Sequence, residues 1–194
     1  MTRIGRQIPH FQEVDVEGIK AVFSSDKTYR YILKIPYKAS LLRENADENI
    51  AVILKNPSSA DQFRSDATIR KVETYVYHKF PKAASVCILN IFALRATDAS
   101  DVQKMFKQNG FDYIVGKDND KWFKQILSES SAIICAWGGN SGIDKKAYNQ
   151  RIEEVKSILS ELNNSAVFQV VGVKNTTEPL HGLMWGYDYE CVRF

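Results

Sequence analysis

The sequence predicts an α/β domain of three layers, α/β/α, with a mainly parallel central sheet. Three observations carry this expectation. Short apolar runs alternate with longer stretches of helical period. The runs are apolar throughout instead of every second residue, which implies a sheet buried on both faces. A chain of 194 residues with 44% hydrophobic content fills one well-packed core and falls short of what two domains need. Residues 1–20 read as an N-terminal extension and 21–194 as a single domain.

The elements follow in order. "YRYILKI" at 29–35 and "IAVILK" at 50–55 read as strands, and "KASLLRENADEN" at 38–49 reads as an insertion between them. "DATIRKVETYVYHKF" at 66–80 has Asp66 as N-cap, with Ile69, Val72, Val76 and Phe80 on one face of a helix. "ASVCILN" at 84–90 returns to strand. In "SDVQKMF" Ser100 and Gln103 have capping-box spacing, and "DNDKWFKQILSES" at 118–130 is amphipathic. Strand "AIICAW" at 132–137, helix "DKKAYNQRIEEVKSILSEL" at 144–162 and strand "AVFQVVGV" at 166–173 complete the alternation.

Charge and cysteine usage narrow the setting. Against 26 basic residues stand 23 acidic ones, a formal net charge of +3, so any nucleic-acid contact must come from local clustering. The first residues hold no apolar h-region, and no run approaches the roughly 18 apolar residues of a membrane span; the expectation is a soluble cytoplasmic protein. Cys87 and Cys135 lie inside apolar runs and Cys191 stands alone, which suits reduced thiols. Without a CxxC pair, no zinc or iron–sulfur site has usable spacing, and no metal or cofactor is expected.

In a parallel α/β sheet, ligands bind where the strands end. The exits here read Asn56-Pro57-Ser58-Ser59, then Asn90-Ile91-Phe92, then Trp137-Gly138-Gly139-Asn140, then Lys174 to Trp185 with His181 inside. Asn-Pro-Ser-Ser alone is ordinary turn chemistry. Asn90 is a poor strand former that needs buried partners, for function or to tie the next loop. His10 falls in the polar leader and His78 near a helix end, leaving His181 as the histidine of the exits; Trp137 reads as packing. Arg95 and Asp98 in "LRATD" either hold a phosphate or pair to fix their loop. Lysines interleaved with aromatics in "HKFPK", "KMFK", "KDNDKWFK" and "DKKAY" are either a solvated helix face or a single-strand surface. Together, side-chain amides and a histidine at one edge suit reading a nucleobase, since an amide offers donor and acceptor side by side.

The order "LKNPSSAD", "LNIFALRATD", "GKDND.W", "CAWG" and "EPLHGLMW" resembles the uracil-DNA glycosylase superfamily, and within it an uncharacterised bacterial and phage domain family. The likeness spans roughly residues 21–185. It implies a glycosylase-like fold, DNA as partner in duplex or single-stranded form, and no obligate protein partner. By the same resemblance, Asn56 holds the attacking water and His181 stabilises the leaving base. Base contacts fall to Asn90, Pro57 and Phe63, and contacts to DNA phosphates to Ser58, Ser59, Arg95, Gly138, Gly139 and Lys174.

Two departures matter. His181-Gly182 stands where the superfamily has His-Pro, which predicts a freer loop. Position 56 is an asparagine where the uracil-removing branch has aspartate, and an amide is no general base. The small residues Ser58, Ser59, Ala60 and Gly182 predict room for a base larger than uracil, such as a phage-type modified base met in defence or repair. A nucleotide or nucleic-acid binding module using the same pocket is the alternative. A Walker or Rossmann glycine pattern is absent, which disfavours a nucleotide-processing enzyme.

Overall fold

The computed structural model describes residues 8–58, 65–96, 99–162, 166–173 and 177–194. Among these, seven strands form one sheet: β1 Lys20–Phe23, β2 Arg30–Pro36, β3 Glu48–Leu54, β4 Ala83–Asn90, β5 Ala132–Cys135, β6 Val167–Val171 and β7 Glu190–Arg193. Five α-helices accompany them: α1 Ala67–Lys79, α2 Ala99–Asn109, α3 Phe111–Val115, α4 Asn119–Ser128 and α5 Lys145–Glu161.

The spatial strand order is β1-β2-β4-β3-β5-β6-β7. Strands β4, β3, β5 and β6 are parallel, while β1–β2, β2–β4 and β6–β7 pair antiparallel. The sheet is therefore mixed, and the expectation of a mainly parallel one is corrected. Parallel neighbours need a crossover of a dozen or more residues, usually a helix. Only a tight turn joins β1 to β2, and the 38–49 insertion holds a single 3-10 turn, Leu41–Arg43. Apolar composition reports that β2 is buried; it is silent on direction.

The two faces of the sheet carry separate cores. Along β3 the side chains alternate: Ala51 and Ile53 join Phe123, Leu127, Ile152 and Val155 of α4 and α5. Ile50, Val52 and Leu54 join Ile69, Val72 and Val76 of α1. Asp66 caps α1, accepting from the N–H groups of Thr68 at 2.7 Å and Ile69 at 2.9 Å. Ser100 lies within α2 and is not its N-cap. Gln103 Oε1 instead accepts the Asp144 N–H at 2.6 Å, fixing the start of α5.

The segment before β1 is not a solvated leader where it is described. Phe11 and Val14 belong to the α1-side core. His10 is buried, with Nδ1 2.9 Å from Glu73 Oε2, and the Phe11 N–H donates to Glu73 Oε1 at 2.5 Å. Cys87 and Cys135 are buried free thiols. No helix of the described residues is long and apolar enough to cross a membrane.

Candidate functional site

Strand β3 gives way at Leu54 to Lys55-Asn56-Pro57-Ser58. Its neighbour holds on slightly longer: the Ile91 and Phe92 N–H groups donate to Leu54 and Lys55 carbonyls, each at 2.9 Å. Pro57 has no N–H, so the ladder stops there. Two bonds then tie this loop to the one after β4. Asn56 Nδ2 donates to the Ala96 carbonyl at 3.3 Å, and the Ala96 N–H donates to the Pro57 carbonyl at 3.2 Å. With Nδ2 so used, Asn56 Oδ1 is the atom left to accept.

A cavity of about 130 Å³ lies between this loop and the N-terminus of α1. Asn56, Ser58, Asp66, Thr68, Arg30 and His181 line it, over Leu54 and Ile69. Asn56 and His181 thus reach one space from strand exits far apart in sequence. The volume is close to the roughly 150 Å³ that accommodates a benzene ring, so it suits a single ring; of the small residues expected to widen the mouth, Ser59 and Ala60 lie outside the described residues.

His181 is half-buried and caps the 3-10 turn Gly182–Met184. Its Nδ1 accepts the Leu183 N–H at 3.2 Å. That bond fixes the neutral tautomer: the proton sits on Nε2, the remaining donor. Burial, helped by the charge of Lys55 and opposed by Asp66, brings the imidazole pKa down from 6.5 to about 4. At neutral pH the ring is an uncharged donor.

Two glycines fit the backbone closely around this histidine. Gly138, at φ +66°, would bring a Cβ within 2.8 Å of His181 Cβ. A Cβ on Gly182 would meet Val72 Cγ2 at 2.7 Å. Gly182 is buried, and the Met184 N–H donates to the His181 carbonyl at 2.7 Å. The freer loop expected from His-Gly is corrected: close packing on α1 requires the glycine and holds the turn.

Arg30 reaches the cavity for two reasons that the sequence did not disclose. Strand β2 runs against β4, so its first residue lies at the edge where β3 and β4 end. The register with β1 also shifts between Val22↔Ile32 and Phe23↔Arg30, leaving Tyr31 as an extra residue. Such a bulge re-aims the side chains beyond it. Tyr31 and Ile32 accordingly both face the α4–α5 core, and Arg30 turns to the α1 side.

Asn90 ends β4 in register with Leu54. By the alternation that puts Val86 and Ile88 in the α1-side core, its side chain is on the cavity's face of the sheet. It is 1% exposed, and neither Nδ2 nor Oδ1 has a hydrogen-bond partner among the described residues. Its carbonyl accepts from Asn119 Nδ2 at 3.0 Å. Asn90 does not itself line the cavity.

Lys55 was missed although it closes an apolar run. It is 6% exposed, and burial lowers its pKa from 10.5 to about 8. No hydrogen bond or ion pair among the described residues offsets that burial.

The other candidates are dispersed. The Gly138 N–H donates to the Pro179 carbonyl at 3.0 Å, and its carbonyl accepts from the Tyr148 hydroxyl, so its backbone is already engaged. Gly139 is exposed. Arg95 is exposed on a neighbouring groove, with Nη1 donating to the Lys27 carbonyl at 3.1 Å. Trp137 is fully buried and its Nε1 donates to Glu178 at 3.2 Å. Ser59, Phe63, Asp98 and Lys174 lie outside the described residues. No group of three or more metal-ligating side chains occurs among the described residues.

A mixed α/β sheet with a polar cavity at the exits of its parallel strands defines the general class. The chain belongs to the family described as a protein of unknown function, DUF1643, whose model matches residues 30–183. No curated protein and no solved structure matches it.

Proposed function

We propose that this chain is a metal-independent DNA glycosylase-type hydrolase, of three-layer α/β/α, uracil-DNA glycosylase-like architecture, acting in defence or repair. In this reaction a nucleotide turns its base into the cavity. A water held by Asn56 attacks C1′ through an oxocarbenium-like transition state. The N-glycosidic bond breaks and its electron pair passes to the base nitrogen. The attacking water releases a proton to solvent and the departing base takes one up, so the products are the free base and an abasic site that carries the water oxygen on C1′.

One observation carries this reading: Asn56 and His181 line the same single-ring cavity, with the histidine held neutral and its proton on Nε2. A neutral N–H donor aimed at a leaving base gains strength only as negative charge develops, the differential binding that speeds a reaction. Nearby Lys55 and Arg30 add positive potential for the same anion.

The experiment is incubation with DNA carrying a panel of natural and modified bases, followed by alkaline cleavage at abasic sites. Strand breakage dependent on Asn56 and His181 supports the proposal. Intact strands across the panel, with DNA still bound, favour the binding module, for which the missing carboxylate at position 56 speaks.

A further inference from the structure

Beside the cavity runs a wider depression of about 440 Å³. The two share Ser58, so a chain occupying one continues naturally into the other. Lys27 and Arg95 line it together with the apolar Leu94 and Met105 and the ring of Tyr113.

The cations are placed by local structure. Lys27 sits on a turn built by Asp26, which accepts from Ser24 Oγ at 2.6 Å, Thr28 N–H at 3.1 Å and Thr28 Oγ1 at 2.7 Å. Those bonds hold the Asp26 carboxyl at a pKa of about 2. They leave Lys27 in the left-handed region, φ +59°, a strained conformation found often at ligand clamps. Arg95 binds the Lys27 carbonyl, and its guanidinium lies 5.0 Å from the Phe23 ring centroid. Neither cation forms an ion pair among the described residues. Tyr113, in the same lining, makes a T-shaped contact with Tyr29 at 6.1 Å, and Tyr29 stacks on Tyr31 at 6.2 Å.

Two cations and a braced aromatic in one groove match one nucleotide, the phosphate on the cations and the base on the ring. We infer that this groove seats the nucleotide next to the one whose base enters the cavity, and that the nucleic acid is single-stranded there. The inference rests on the reading of the cavity as a base site. Single-strandedness follows from Tyr113 in the lining: a duplex keeps each base stacked on its neighbours, whereas a single strand can turn a base face toward that ring.

The test is equilibrium binding of a fluorescein-labelled oligothymidylate, single-stranded and in duplex, to the full chain, measured without turnover. Tighter binding of the single strand is expected. Tyr113→Ala should weaken it roughly five- to hundredfold, the range for losing one stacked base, while Tyr113→Phe keeps the affinity. Arg95 is exposed, so Arg95→Ala leaves the fold intact and should reduce the slope of log K against log salt by about 0.7, one single-strand phosphate. Wild-type affinity and salt slope in both alanine variants, or a preference for duplex, would overturn the inference. Base release is scored separately. Groove variants that lose binding in a protein that releases no base retire the glycosylase reading alone; unaffected groove variants in a protein that does release base retire this inference alone.

Discussion

At the residue scale the site turns on His181. Its ring is neutral above a pKa of about 4, and Lys55 remains charged below about 8. In the proposed reaction the neutral donor and the nearby cation coexist between those values. The single-turnover rate should therefore be flat from about pH 5 to 7 and fall above about 8; an inflection near 6.5 would remove His181 from the assigned role. The depressed pKa has a stability side. The unfolded chain binds this proton more tightly, so the contribution is fully present above 6.5 and is lost as pH falls toward 4. A thermal melt series of wild type against His181→Gln measures it, the difference narrowing as the pH falls. His181→Ala should cost about 10²- to 10³-fold in base release, the loss of one preorganised donor, since Gly182 packing holds the turn in place. Asn56→Ala should lose turnover while keeping most DNA binding, which phosphate contacts dominate.

At the element scale, strand exits placed the cavity and hid part of its lining. Asp66 and Asn56 were legible because an N-cap and an Asn-Pro stop are local chemistry, read from a few adjacent residues. Arg30 was not. Its place depends on the direction of β2 and on an extra residue at Tyr31, and neither leaves a mark on apolar composition. Short edge strands β1 and β7 escaped for a related reason: four residues with partly exposed patterns carry no clear period. Lys55 closes the run 50–55 and by its type reads as a solvated strand end, yet it is buried. A pKa lowered from 10.5 to about 8 corresponds to ~3 kcal/mol of ionisation free energy. That penalty applies in full below pH 8 and is relieved as pH rises toward 10.5. Lys55→Met should accordingly raise Tm at pH 7, by up to that amount in stability, and lower base release or DNA affinity. A variant destabilised without other change would show instead that Lys55 is structural. Gly138→Ala adds a Cβ at 2.8 Å from His181 in a left-handed backbone, and should cost about 1–3 kcal/mol in denaturant unfolding while slowing turnover.

At the scale of the whole molecule, two cores on opposite faces of the sheet hold the exits of its parallel strands β4, β3, β5 and β6 at one edge. The α1-side core fixes the cavity, since Leu54 and Ile69 belong to it and line the floor. The other core anchors the loop after β4. Arg151, fully buried on α5, donates through Nε to the Ile91 carbonyl at 2.7 Å and pairs with Asp120 of α4 at 2.5 Å. This division explains why the alternation of strands and helices predicted the α/β class while the site's chemistry stayed partly hidden: the core is written in periodicity, the cavity in contacts between distant loops. The central claim is that this cavity cleaves an N-glycosidic bond. Its most direct test is a single-turnover assay of base release, at saturating enzyme, from single-stranded DNA carrying one pyrimidine-type base at a time, natural or modified. An abasic product is expected with at least one such base, its formation slowed at least about a hundredfold by His181→Ala with binding retained. Binding of those same strands with no base released by the wild-type protein would contradict it.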